Sequence, residues 1–506
     1  MMKIWKWTLV LCLVVALILI IVGVGYIEPI TKPIVVIQGS EITNLDPVLD
    51  SDIHHWRITG NIFDHLVTRD DDMKIVPCLA KSWKVIKDGY AMEFELRTDV
   101  KFQDGTPFTA KDVKYTIERI QDPKLKSRLA IYISEIVGVD IIDDYHVIIR
   151  TKSLYPILLA RLTSGVLMVS KSIVERMGDE AFANHPIGTG PYMLESWTKG
   201  EEIVLVANPD YWGGAPEVKK VIFKTISESS TRVAALLTGD ADIIDGLPVY
   251  DVQRVRDHPD LEIVSIPSCR VMHIALDTRI KPFNDKRVRQ AMNYAVNVDS
   301  IIEYILGGYG YLEANLECST AFGYNPNIEP YKEDLEKAKG LLAEAGYPDG
   351  FKTEIVVAPG RYFSGEEVAE AIAGQLSRVG IEVDVIKIEN NTVLKLLTTG
   401  KRPPMCFFGW GASILDADGT LYYLTHTDEL YSNYSNKDLD QLLEAARTNM
   451  DKDIRINLYY KAAELIREEA PFIFLYQEAG LYGLHKGINW KPRTDEMIWF
   501  HNVTID

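Results

Sequence analysis

The residues that could do chemistry are unevenly arranged. The chain has ten histidines, but none falls in an HExxH pair. The neighbours His54 and His55 cannot both face one site on a helix, where side chains meet at three- and four-residue steps. No GxSxG elbow, phosphate loop or GxGxxG after a strand is present. Asp416 and Asp418 have the composition of a glycosidase pair, yet two acids in a loop more often serve as charge or hydrogen-bond contacts. No catalytic residue, metal site or cofactor is therefore expected, and the protein reads as a binder, not an enzyme. The strongest binding run is Trp410-Gly-Ala-Ser-Ile-Leu-Asp416-Ala-Asp418-Gly419, directly after an apolar strand. Ligands of open α/β sheets sit outside the carboxyl ends of strands. There the Trp410 face can stack, and Asp416 or Asp418 can take an ammonium or hydroxyls. Arg361, beside Tyr362 in a loop after another strand, is a candidate fork for a carboxylate.

These residues need a scaffold. Met92, Phe94 and Leu96 alternate with Glu93, Glu95 and Arg97, the period of a half-buried strand. Asp104-Gly105 and Pro107 end it, and Thr109 with Asp112 forms a reciprocal cap for a helix carrying Val113, Ile117 and Ile120 on one face. Ile136–Ile142 and His146–Arg150 read as a hairpin about Asp143-Asp144. A helix is expected over His54 to Val67 and a strand over Val271 to Asp277. Helices over Leu335–Ala345 and Glu366–Val379 alternate with strands over Thr353–Val357 and Ile381–Ile386. That alternation means sheets covered by helices, an α/β fold.

At 506 residues the chain exceeds a single core, so two or three domains are expected. A net charge of −18 excludes a nucleic-acid partner, whose phosphates would be repelled. Lys3 and Lys6 precede an uncharged apolar run from Thr8 to Ile27, long enough to span a bilayer. Residues 1–30 thus read as a signal peptide or an N-terminal membrane anchor, with the body exported. Cys12 follows a leucine where a lipoprotein site wants a small residue, so lipidation there is not expected. Export makes structural thiols or one or two disulfides the expectation for Cys78, Cys269, Cys318 and Cys406, their pairing left open and no zinc spacing present.

Several ordered blocks carry a resemblance. Trp83, Phe94-Glu-Leu-Arg97, Val100-Lys-Phe102, Asp104-Gly105 and Ala110-Lys-Asp-Val113 come first. Gly188-Thr-Gly-Pro-Tyr192, Asn208-Pro-Asp-Tyr-Trp-Gly-Gly214 and Arg287-Val-Arg-Gln-Ala291 follow. Together they resemble extracellular solute-binding protein family 5, the dipeptide- and oligopeptide-binding receptors of ABC importers. The resemblance implies a two-lobed, periplasmic-binding-protein-like fold (class II, cluster C) with three domains and a hinge. Domain I would gather residues 31–77, 185–270 and 482–506, domain II residues 78–184, and domain III residues 271–481. It also implies closure around a small peptide or other small solute and delivery to permease subunits with their ATPases. The receptor is expected to be a monomer, periplasmic, secreted or held at the membrane by its N-terminal segment. Peptide receptors of the family often carry Asp three residues after this Trp, paired with the peptide amine; here Ser413 stands there. An oligosaccharide, glutathione, nickel or haem are alternative cargoes, and a sensor subunit or a glycosidase or peptidase on this scaffold are rival roles.

Overall fold

A computed structural model describes residues 32–506; the apolar run from Thr8 to Ile27 lies outside the described residues. Among the described residues no helix is long and apolar enough to cross a membrane. The four cysteines there, Cys78, Cys269, Cys318 and Cys406, are buried free thiols.

Two long antiparallel strands organise the molecule: Leu261–Leu276, of 16 residues, and Phe472–His485, of 14. They run side by side through the middle of an 11-stranded sheet. On one side the sheet continues through Ile243–Asp245, Ile34–Gln38, Lys220–Thr225, Glu202–Ala207 and Tyr192–Thr198. On the other it continues through Met405–Gly411, Phe351–Val357 and Ile381–Lys387. Leu261 and Leu481 pack in a core with Ile37, Val233 and Leu236. Met272, Ile274, Ile473 and Leu475, on the same two strands, pack in a different core with Ile355, Ile372 and Phe407. The pair therefore joins two lobes. Where it crosses, the register slips between Pro267 and Val271, the extra residues and added twist of a bulge. Gln477, only 1% exposed, fixes that slip by donating to the Ser268 carbonyl at 2.6 Å and accepting from the Ser319 amide at 3.2 Å.

The first lobe also holds a separate antiparallel sheet of Ala80–Ile86, Ala91–Leu96, His146–Thr151 and Ile136–Asp143. Its helix Ala110–Gln121 starts in the capping box of Thr109 and Asp112 and buries Val113, Ile117 and Ile120. Residues 490–503 return to this lobe, where Trp490, Ile498 and Phe500 join its core.

Two elements differ from the sequence-based expectation. The helix expected over His54 to Val67 spans Ile53–Ile62 only, and Val67–Arg69 is a strand paired with Ile75–Pro77. Packing stops the helix: Gly190 donates to the Ile62 carbonyl at 2.8 Å, and a Cβ at Gly188 would lie 2.0 Å from that oxygen. The Gly188-Thr-Gly190 block is thus a backbone docking surface for a helix end. The strand expected from Val271 begins ten residues earlier, at Leu261, because Pro267 and the polar Ser265, Ser268 and Arg270 mask its alternation.

Candidate ligand-binding cleft

Each lobe contributes side chains to a cavity of about 190 Å³ beside the bulge. Its first-lobe wall starts at Asp52, which caps the helix Ile53–Ile62 by accepting from the His54 amide at 2.8 Å. Trp56 lies one turn on, the spacing that stacks side chains on one helix face, and its indole donates to the Asp50 carbonyl at 3.2 Å. Tyr132, Ser164, Asp495, Glu496 and Trp499 also line this wall. The second-lobe wall comes from Arg270, beside the bulge inside Leu261–Leu276, and from two strand ends, Arg361 after Phe351–Val357 and Ser413 after Met405–Gly411.

The cavity holds ionic groups in different states of commitment. Arg270 lies 3.3 Å from Glu478 and 3.9 Å from Glu496. Burial outweighs this pairing for Glu478 and raises its carboxyl above the ordinary value, against the pull of Arg270 and Arg361. Burial would also raise Asp52, but the hydrogen bond and charge of His54, with the charge of Arg361, carry it well below the usual carboxylate range. Asp52 is therefore an anion in electrostatic reach of Arg361 across the cleft. Arg361 itself is exposed, follows the left-handed Gly360, and has its guanidinium 5.0 Å from the Tyr362 ring. Among the described residues that guanidinium makes no ion pair within 4.0 Å.

Of the six binding residues expected from sequence, Arg361 and Ser413 line this cavity; Trp410, Tyr362, Asp416 and Asp418 do not. Trp410 turns its indole NH to the Gly419 carbonyl at 2.9 Å and packs edge-on against Tyr431. Tyr362, 8% exposed, packs edge-to-face on Phe407. Asp416 accepts from Arg455 at 2.9 and 3.0 Å, both side chains buried. Asp418, fully buried, lies 3.2 Å from Arg447 and 3.7 Å from Arg161. Both carboxylates thus spend their charge on arginines, because an unpaired buried carboxylate would cost several kcal/mol. Asp52, Trp56, Arg270 and Trp499 were not singled out from sequence. The one available signal was Arg270, a basic charge just before the apolar run Val271–Leu276, which marks either a pair or a site.

Comparison with known proteins places this geometry. The model of the bacterial extracellular solute-binding proteins, family 5 (middle region), matches residues 74–432. The glutathione-binding protein GsiB of Shigella flexneri serotype 5b (strain 8401) is 30% identical over 460 residues, covering 88% of this chain and 89% of that protein. The ABC transporter-associated periplasmic binding protein DppA from Helicobacter pylori, in complex with the peptide STSA, has a TM-score of 0.80 at 31% identity. That likeness covers 94% of this chain and 98% of the other. NikZ from Campylobacter jejuni, in complex with Ni(L-His), has a TM-score of 0.79 at 26% identity over 92% of this chain and 97% of its own. Two lobes on a strand-pair hinge, a cavity between them and a family match over most of the chain lead to one conclusion: the protein belongs to the bacterial extracellular solute-binding proteins, family 5, the solute-capturing proteins of ABC importers.

Proposed function

We propose that the protein captures a small peptide or peptide-like solute with a free carboxylate, closes its lobes on it, and delivers it to an ABC permease and its ATPases. The single observation that carries this reading is Arg361: an arginine facing an interlobe cavity with no ionic partner among the described residues. A guanidinium so placed matches a carboxylate bidentately. Asp52, on the opposite wall, bonds His54 through Oδ1 and turns its other carboxylate oxygen to an ammonium, the role that Ser413 cannot fill. Trp56 and Trp499 supply flat apolar faces between them. A volume near 190 Å³ is below the roughly 300–1,000 Å³ of drug-sized pockets, which favours a solute of dipeptide scale over haem or an oligosaccharide. GsiB and DppA, named for glutathione and crystallised with a peptide respectively, support the same class. In this reading the solute is held and released unchanged, with no catalytic step. Domains I, II and III follow the boundaries given above, and the monomeric receptor works outside the cytoplasmic membrane, anchored or released according to the fate of residues 1–30.

Thermal denaturation of the purified protein with separate pools tests this. Peptides or glutathione should raise Tm, since a ligand at a hundredfold its Kd adds about 2.7 kcal/mol to the native state. Stabilisation by cello-oligosaccharides with none by peptides would overturn the cargo assignment.

A further inference from the structure

Two first-lobe arginines leave their own lobe and end on one short segment of the other. Arg161 sits on the one-turn helix Leu158–Leu162, whose Leu158 and Leu162 are buried in the first-lobe core. Its guanidinium donates to the Tyr423 hydroxyl at 3.3 Å, lies 3.7 Å from Asp418, and sits 5.7 Å from the ring of Tyr132, which lines the cavity. Arg161 is 2% exposed and Asp418 0%. Arg69, on the strand Val67–Arg69, donates to the carbonyls of Met73 at 2.6 Å and Ile414 at 2.5 Å. Met73 follows it into a small cluster with Ala412 and Leu415.

The receiving segment is shaped in advance by its own lobe. Trp410 bonds the Gly419 carbonyl, the Asp418 amide donates to Asp416 at 3.1 Å, and Asp416 is clamped by Arg455. Arg447 takes the other side of Asp418. A first-lobe arginine therefore meets a preformed socket.

The geometry points to Arg161 as a latch: its docking on Asp418 and Tyr423 holds the lobes shut and slows release of the solute from the cleft. This rests on the cleft reading above for what is retained, but not for the closing itself. The latch is matched to a reversible receptor. Asp418 and Tyr423 favour closure, but stripping water from the guanidinium offsets much of that gain, and the Arg161 Nε finds no partner among the described residues. Such a contact biases the lobes without locking them, and a bound solute supplies the rest.

Spin labels on exposed Lys124→Cys and Lys437→Cys, one per lobe, report closure in the solute-free protein by electron–electron distance measurement. The described native thiols are buried and stay unlabelled. A short-distance population is expected in the parent, reduced at least threefold by Arg161→Ala and by Tyr423→Phe, and partly restored by Arg161→Lys. With glutathione as probe, Arg161→Ala should raise koff about tenfold and leave kon within threefold. If Arg161→Ala does not fold, Tyr423→Phe decides. No short-distance population in the parent, or one that neither variant reduces, overturns the latch. Loss of glutathione binding in the parent, with the distance change intact, overturns the glutathione cargo and leaves the latch standing.

Discussion

Two loops follow two neighbouring strands of the second lobe, and each presents charged residues, but their charges are in opposite states. After Met405–Gly411 come Asp416 and Asp418, each within 3.2 Å of a buried or half-buried arginine. After Phe351–Val357 comes Arg361, exposed beside a cavity with no acid among the described residues within ion-pair distance. Residue type does not separate them, since either loop could hold one end of a dipeptide. Commitment does. A charge already neutralised in the fold has little attraction left for a solute, whereas an unpaired one retains all of it.

That contrast is broken most forcefully by removing a committed charge. Asp416→Ala should destabilise the protein by about 3–5 kcal/mol, because Arg455 is left buried and unpaired; chemical denaturation reads this directly. A mutant of unchanged stability would mean that Asp416 was free after all.

Glu317 sharpens the comparison as a third kind of acid. It is fully buried and neither carboxylate oxygen has a hydrogen-bond partner among the described residues. Burial, with the charges of Glu313 and Asp416 adding to it, raises its carboxyl to about 8. The folded state thus keeps a proton that the unfolded chain releases near 4.5, so this group costs stability as pH rises from there toward 8, at about 1.4 kcal/mol per unit. Glu317→Gln should remove that slope, and its advantage over the parent should grow toward roughly 3 kcal/mol at neutral pH.

His54 gives a smaller pH slope of the same sign, but here the charged form stabilises the fold. Burial disfavours its charge, but Asp245 at 3.4 Å and Asp52 at 3.1 Å win and raise its pKa. Its contribution is complete below the ordinary histidine value and is lost as pH rises through the raised one. His54→Gln should flatten that part of the Tm–pH curve, with a loss of about 1 kcal/mol on the acid side.

What could be read from the residues in order was local. The strand and capped helix within Ser82–Ile120 needed only two-residue alternation and the Thr109–Asp112 spacing, and the structure has both. The position of Arg361 after a strand was legible for the same reason. The commitment of Asp416 and Asp418 was not, because Arg455 lies 39 residues from Asp416, and the Tyr423 that shares Arg161 with Asp418 lies 262 residues from that arginine. Asp52, Trp56 and Trp499 reach the cleft from both ends of the described chain. Nothing in their neighbourhoods distinguishes a helix cap or a packed indole from a binding wall.

The free charge of Arg361, not the buried pairs of Asp416 and Asp418, selects the cargo, and one titration tests this. Isothermal titration with whichever peptide or glutathione raises Tm most should show Arg361→Ala losing about ten- to a hundredfold in affinity, the worth of a charge-assisted hydrogen bond. The stability of the solute-free variant should stay within about 0.5 kcal/mol of the parent, as befits an exposed residue. Unchanged affinity in Arg361→Ala would contradict the account.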